Sequence, residues 1–460
     1  MKRALTIVLA CFAAIGGASA IAGESRRPNV LVFLCDDTGW GEIGFQGNTE
    51  IPTPHIDSIA KNGVRFVQGY VSGPYCSPTR AGLLTGRYQT RFGHEFNNAA
   101  AGKHGLSLDE KTMAERLKPL GYATCAVGKW HLGVAPEYRP TKRGFDEFYG
   151  TLANTPFFRP RNFVDSRVSN EVQEVNEPNF YTTNAYGDRA VDWLDKQKDR
   201  PWFLYMAFNA QHAPLEAPQK YLDRFEKISD PKRRTFAAMM SAMDDATGKI
   251  LAKVRALGQE EHTVIFFLSD NGGPTRSTTS KNGPLRGFKA TTWEGGVRVP
   301  FAAQWKGKLP AGKTYEQPVI QLDILPTALA AAGATVDSAW KLDGVNLLPL
   351  LLGEKSAKPH ETLYWRFGDQ WAIRHGDWKL VSGREGGAEP WLINLAEDTS
   401  ESKNLGLEQP GKAKELKALW DKWNAEQAAP IAGQERPGRS ALAGERLGVA
   451  RECRRSRTLR

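Results

Sequence analysis

Asn29-Val30-Leu31-Val32-Phe33-Leu34-Cys35, running straight into Asp36-Asp37-Thr38-Gly39, is the stretch that decides the fold. Seven β-prone, mostly apolar residues follow Pro28 without polar alternation. A strand of that kind is covered on both faces, which is the habit of a parallel sheet between helices. Ligands of open α/β sheets bind beyond the carboxyl ends of the strands. Asp36 and Asp37 stand at such an end. Aspartates also populate turns and helix caps. Adjacent acids with no basic neighbour repel each other, however, and suit a hard cation better.

Outward from this strand the pattern repeats. Residues 122–127 form a strand ending at Gly128-Lys129-Trp130-His131-Leu132-Gly133, and residues 202–208 one ending at Asn209-Ala210-Gln211-His212-Ala213-Pro214. Residues 262–268 end in Ser269-Asp270-Asn271-Gly272-Gly273. Helices are expected at 56–62, 108–120, 186–198, 232–256 and 322–332, with further strands at 64–71 and 301–305. The pair Asp244-Asp245, inside the longest helix, reads as solvated or capping. Alternating strands and helices imply a large, mostly parallel sheet sandwiched by helices. Polar clusters closing four of its strands point to one site at one sheet edge.

After about residue 350 the texture changes. Short aromatic-rich strands at 362–366, 370–375, 378–381 and 391–394 precede a Lys-rich amphipathic helix at 413–426. The α/β domain, taken as 25–350, thus carries a small C-terminal antiparallel sheet plus helix at 351–428. Residues 429–460 are rich in Gly, Arg and Ala without periodicity and read as a basic disordered tail. No internal repeat is found.

The chain has 460 residues and a formal net charge of +10. Residues 431–460 hold eight Arg against three Glu, so the tail supplies much of that excess. No globally basic surface follows, and nothing points to nucleic acid. Lys2-Arg3, an apolar run over 4–15 and small residues through Ala18-Ser19-Ala20 have the layout of a signal peptide, assigned to 1–22. The run is short for a membrane span, so the reading is export to the periplasm or outside the cell, without stable membrane insertion. Of five cysteines, Cys11 leaves with the signal, Cys35 and Cys125 sit in apolar strands, and Cys453 lies in the tail. They form no disulfide framework.

Cys76 stands apart, as the cysteine in a polar loop within the folded region. In Cys76-Ser77-Pro78-Thr79-Arg80, Pro78 suits the first turn of a helix. That places Cys76 at a helix N-terminus, where free N–H groups and the dipole favour anions. Lys129 and His131, two apart, point the same way in extended geometry; they also read as a snorkelling lysine and a structural histidine. Asp36, Asp37, Asp270 and Asn271 offer hard oxygen ligands, with no cysteine or histidine cluster to suggest zinc. Lys289 lies beside the glycine-bracketed Trp293-Glu294-Gly295-Gly296-Val297-Arg298-Val299-Pro300.

Leu34 to Asp37, C-x-P-x-R at Cys76 followed by Leu84-Thr85-Gly86-Arg87, G-K-W-H-L-G at Gly128, the strand-end His212, S-D-N-G-G at Ser269 and the block from Lys289 to Pro300 together resemble the type I sulfatases of the alkaline phosphatase superfamily. Within these the similarity is to the arylsulfatase and N-acetylgalactosamine-6-sulfatase group. The resemblance implies that a maturation enzyme oxidises Cys76 to formylglycine, whose hydrate attacks sulfur. It implies one Ca²⁺, rather than Mg²⁺, held by Asp36, Asp37, Asp270, Asn271 and position 76. It implies that Arg80 and Lys129 position the formylglycine, and that Lys129, Lys289 and His212 hold sulfate oxygens. His212 then protonates the departing alcohol, and His131 is the base that releases sulfate.

Arg91 and His94, soon after Cys76, are candidate pocket-lining residues, and residues 154–184, with Phe157, Phe158, Arg159 and Arg161, look like a specificity insert. Aromatics and arginines suit a sulfated sugar. The expected activity is an exported carbohydrate sulfatase. The rivals are a phosphate or phosphonate ester hydrolase of the same superfamily and a non-catalytic glycan-binding protein. For the last a broken motif is expected, and none is broken.

Overall fold

The computed structural model describes residues 27–387 and 389–431. The expected signal peptide and most of the basic tail lie outside these residues. Counting strands along the chain, β1 is Asn29–Cys35, β2 Val64–Phe66, β3 Gly69–Tyr70, β4 Ala123–Lys129, β5 Glu147–Thr151 and β6 Phe163–Asp165. They are followed by β7 Trp202–Ala207, β8 Thr263–Ser269, β9 Phe301–Gln304, β10 Lys313–Tyr315 and β11 Val319–Ile320. Among the described residues a nine-stranded sheet runs in the order β10-β2-β9-β8-β1-β7-β4-β5-β6, and β3 pairs with β11 alongside. The middle, β8-β1-β7-β4-β5, is wholly parallel. Parallel strands end at one edge, so the residues after β1, β4, β7 and β8 are brought together by the topology.

Both faces of β1 are covered, as the unbroken apolar run requires. Val30, Val32 and Leu34 join one core with Leu83 and Leu84 of the Cys76–Thr85 helix. Leu31, Phe33 and Cys35 join the other, with Met239, Met240 and Met243 of the Pro231–Ala256 helix and Trp193 of the Thr182–Leu194 helix. The C-terminal part is a four-stranded antiparallel sheet of β12 Thr362–Phe367, β13 Gln370–His375, β14 Trp378–Ser382 and β15 Trp391–Asn394, backed by the Pro410–Asn424 helix. Trp365, Trp420 and Trp423 share its core with Tyr70 and Trp293 of the large domain. Buried Lys379 on β14 donates to Glu294 Oε1 at 2.9 Å, so an ion pair also joins the two parts.

Several expectations are corrected. The 64–71 run is two strands, because β2 pairs with β9 and β10 whereas β3 pairs with β11. The helix expected at 108–120 is confined to Met113–Leu117, started by Thr112, whose hydroxyl accepts from Glu115 N while the Glu115 carboxylate accepts from Thr112 N. The pair expected to be solvated or capping does both: buried Asp244 caps a neighbouring helix, accepting from the backbone N–H of Ile56 at 2.8 Å, while Asp245 pairs with Arg224 at 2.8 Å. The 154–184 segment contains β6, paired antiparallel with β5. No helix among the described residues is long and apolar enough to cross a membrane.

Candidate active site

Cys76 is the first residue of its helix, as Pro78 led us to expect, and it is fully buried. Its Sγ donates to Asp36 Oδ1 at 3.3 Å and accepts from Lys289 Nζ at 3.2 Å. Asp36 leaves β1 between two neighbours: its N–H donates to Ala210 O at 2.9 Å, and its carbonyl accepts from Gln211 N at 2.7 Å. Asp270 N donates to Cys35 O at 3.0 Å, continuing the β1–β8 ladder past the strand ends. These backbone bonds hold the acid-bearing ends side by side.

Arg80, one helical turn after Cys76, is fully buried. Its guanidinium meets Asp270 Oδ2 at 2.7 Å through Nη2 and 3.2 Å through Nε, and Nη1 donates to Lys129 O at 2.8 Å. Lys129 Nζ donates to Asp36 Oδ2. Lys289 Nζ donates to Asp37 Oδ1 at 2.6 Å, and Asn271 Nδ2 donates to the same oxygen at 2.8 Å. His212 Nε2 lies 3.8 Å from Asp37 Oδ2, and its Nδ1 faces Ala213 O at 2.5 Å. Asp36, Asp37, Cys76, Arg80, Lys129, His212, Asp270, Asn271 and Lys289, expected from scattered segments, therefore meet in one cluster.

Local backbone strain gathers here too. Asp37, His131 and Ala290, the residue after Lys289, adopt φ of 66°, 57° and 66°. Side-chain-bearing residues pay for such left-handed conformations, and they concentrate at functional sites. The expectation that Lys129 and His131 share an extended segment fails for this reason, since His131 turns left-handed just past β4. Gly128 is needed because a Cβ there would sit 1.8 Å from Ala207 O on the adjacent β7.

The electrostatics are those of compensated buried charge. Burial alone would raise Asp36, yet Lys129, His212, Arg80 and Lys289 hold its carboxyl well below the usual range. Burial and the Asp36 charge push Asp270 up to about 6. Burial, then Asp270 and Asp36, raise the Cys76 thiol well above its ordinary value, so a thiolate nucleophile is disfavoured. Burial and the neighbouring Lys129 and Arg80 charges keep His131 neutral, and burial with Lys289 lowers His212 to about 4.

The residues fit a hard cation. Ligand atoms of Asp36, Asp37, Cys76 and Asp270 all lie within 4.8 Å of one another. Asn271 Oδ1 is buried beside them with no hydrogen-bond partner among the described residues. An orphaned carbonyl oxygen next to three carboxylates is a donor set for Ca²⁺ or Mg²⁺.

Two candidates for substrate contact are placed elsewhere. Arg91 is clamped by Asp343, at 2.6 Å from Nη2 to Oδ1 and 2.7 Å from Nε to Oδ2. His94 is fully buried, with Nε2 2.6 Å from Ser77 Oγ, which in turn donates to His131 O at 2.6 Å. His94 thus braces the Cys76 helix against the His131 turn. We expect Arg91→Ala to lower stability by about 1–2 kcal/mol, as a bidentate, partly buried pair does, with KM unchanged; thermal melts and steady-state kinetics check this. Ser77 was missed by the sequence reading, as was Tyr75, whose ring packs on Phe367 of the C-terminal sheet at 5.4 Å. The position of Ser77 directly after Cys76 was the available signal.

Comparison with known proteins gives concordant findings. A family model described as Sulfatase matches residues 28–334, and one described as N-sulphoglucosamine sulphohydrolase, C-terminal, matches 288–429. The N-acetylgalactosamine-6-sulfatase of Homo sapiens is 36% identical over 355 residues, covering 72% of this chain and 67% of the relative. The crystal structure of Ps i-CgsB in complex with k-i-k-neocarrahexaose aligns with a TM-score of 0.82 and 32% identity, covering 92% of this chain and 97% of the other. The phosphonate monoester hydrolase of Agrobacterium radiobacter shares the fold, with a TM-score of 0.64 at 19% identity, over 87% of this chain and 95% of its own.

Proposed function

The chain belongs to the sulfatase family and is a sulfuric ester hydrolase, and from that premise we propose that it removes sulfate from sulfated carbohydrates, using formylglycine made from Cys76 and a Ca²⁺ ion held by Asp36, Asp37, Asp270 and Asn271. The observation that carries this reading is the single cluster in which Cys76 touches both Asp36 and Lys289. The Cys76 sulfur stands where the oxygens of a hydrated aldehyde would lie. When bound, the cation supplies the positive charge that favours an ionised oxygen at position 76.

The chain's own residues do the rest. Arg80, tied to Asp270 and to the Lys129 carbonyl, fixes the helix start against β4. Lys289 and His212 are half-buried, unlike the fully enclosed Asp36 and Arg80, so they face an arriving sulfate and bind its oxygens where charge shifts during transfer. With Nδ1 committed to Ala213 O, Nε2 is the His212 atom left to protonate the leaving oxygen. The charge of the sulfate offsets the burial and the Lys289 field that otherwise keep this imidazole neutral. His131 is neutral, and its buried Nδ1 has no partner among the described residues, which suits the base that takes the proton when sulfate departs.

An amino-sugar sulfatase and a structure holding a neocarrahexaose, both above 30% identity, support a sugar substrate. Export, with residues 1–22 removed, is part of the proposal and is supported by the charged, apolar and small-residue order at the N-terminus. The phosphate or phosphonate alternative is tested with paired nitrophenyl esters. We expect kcat/KM for the sulfate to exceed that for the phosphate by at least about a hundredfold, since a site fitted to one transition state discriminates by differential binding. The reverse preference would replace this reading with the alternative.

A further inference from the structure

We propose that the cleft between residues 158–159, 175–180 and 217–220 is a second carbohydrate subsite, binding sugars of a sulfated chain beyond the one that loses its sulfate. This rests on the carbohydrate reading above. The cleft has a volume of about 840 Å³, within the ~300–1,000 Å³ typical of small-molecule sites.

Its position follows from the fold. The Thr182–Leu194 helix packs beside β7, and its first residue reaches the carboxyl edge of the sheet: Thr182 Oγ1 donates to Asn209 Oδ1 at 3.2 Å, shortly before His212. The opposite wall, Ala217 to Lys220, follows shortly after His212. Glu216 ties the walls together, its Oε2 accepting from Phe157 N at 2.7 Å and its carbonyl from the Tyr181 hydroxyl at 3.0 Å. The cleft is thus built on the loop that carries the leaving-group acid.

Its chemistry is that of a sulfated sugar. Arg159 and Lys220 stand exposed on opposite walls, neither in an ion pair with a described residue, and Glu177 is the single carboxylate among the lining residues. Guanidinium and ammonium groups lining one cleft suit sulfate oxygens, and Arg does so through a paired fork of donors. Phe158 is 37% exposed, with its ring against Tyr181 at 5.2 Å, so it is held from behind and open in front. An aromatic ring presented in this way packs against the C–H face of a pyranose. Asn179, exposed in the same cleft, adds an amide for ring hydroxyls.

The test uses the matured, calcium-loaded enzyme and the double variant Arg159→Ala/Lys220→Ala. Substrates are p-nitrophenyl sulfate and sulfated di- and hexasaccharides prepared from carrageenan and from chondroitin sulfate. We expect KM for the hexasaccharide that wild type desulfates to rise about five- to tenfold, the size of two exposed charge contacts, with kcat and aryl sulfate kinetics unchanged. Arg159→Glu/Lys220→Glu should enlarge the effect, and added salt should shrink it. An unchanged hexasaccharide KM, or an equal loss on the aryl ester, overturns the subsite and leaves the carbohydrate reading intact. Aryl sulfate turnover by wild type with no turnover of any sulfated oligosaccharide overturns the carbohydrate reading, and the subsite falls with it.

Discussion

Cys76→Ala abolishes turnover: we expect kcat to fall at least ~10,000-fold, as removing a covalent nucleophile does, with the fold retained. The side chain is fully buried, and the substitution deletes only Sγ, which touches Asp36 at 3.3 Å and Lys289 at 3.2 Å. Those two partners keep their other contacts, Asp36 with Lys129 and Lys289 with Asp37, so the surrounding frame stands. Expression without a maturation enzyme should give the same loss with Cys76 intact. Burial, with the charges of Asp270 and Asp36, keeps the thiol protonated, and it has no second hydroxyl with which to release sulfate. Single-turnover and steady-state assays on nitrophenyl sulfate check both forms. Full activity in either would refute the proposed chemistry.

The second large effect is expected at Asp270. Its carboxylate holds Arg80 through two contacts, and its Oδ1 accepts from Asp37 N at 3.2 Å. Asp270→Ala leaves Arg80 enclosed, with Asp36 at 3.4 Å as its remaining carboxylate. Breaking a buried pair from one side costs about 3–5 kcal/mol. The same change removes one of three carboxylates from the cation site, so activity should fall by roughly a thousandfold or more. In wild type, calcium at about a hundred times its Kd should add about 2.7 kcal/mol to unfolding, and a chelator should remove that gain reversibly. In Asp270→Asn, which keeps the shape and discards the charge, thermal melts should show little response to calcium. A variant that still gains stability on adding calcium would exclude Asp270 from the ion's ligands.

How much of this was legible depended on how local each signal was. β1, β7 and β8 announce themselves because burial on both faces demands continuous apolar residues, and the polar groups after them mark one sheet edge. β5, Glu147-Phe148-Tyr149-Gly150-Thr151, carries no such signal. It becomes a strand by pairing with β4, where a Cβ on Gly150 would lie 1.9 Å from Gly128 O. The division of 64–71 was equally hidden, because it reflects a change of partner strand, not of residue type. The short helix at Met113–Leu117 could have been found from Thr112 and Glu115, a capping pair readable in the sequence.

Within the site, residue types at strand ends named the cluster, and long-range pairing decided the exceptions. Arg91 looked available for substrate because its partner, Asp343, belongs to a distant loop. His94 looked like a pocket histidine because nothing local shows that the Ser77 hydroxyl reaches its ring. The cleft by Phe158 is the converse case. Residues 154–184 were marked as a specificity segment by composition, and the fold supplies the opposite wall from 217–220.

The most direct measurement is the mass of the tryptic peptide bearing residue 76, taken from enzyme of known specific activity. The peptide is expected to be lighter than the cysteine form by the difference between a methylene thiol and an aldehyde, in proportion to activity across preparations of different maturation. A fully active preparation whose peptide carried only unmodified cysteine would contradict the central claim.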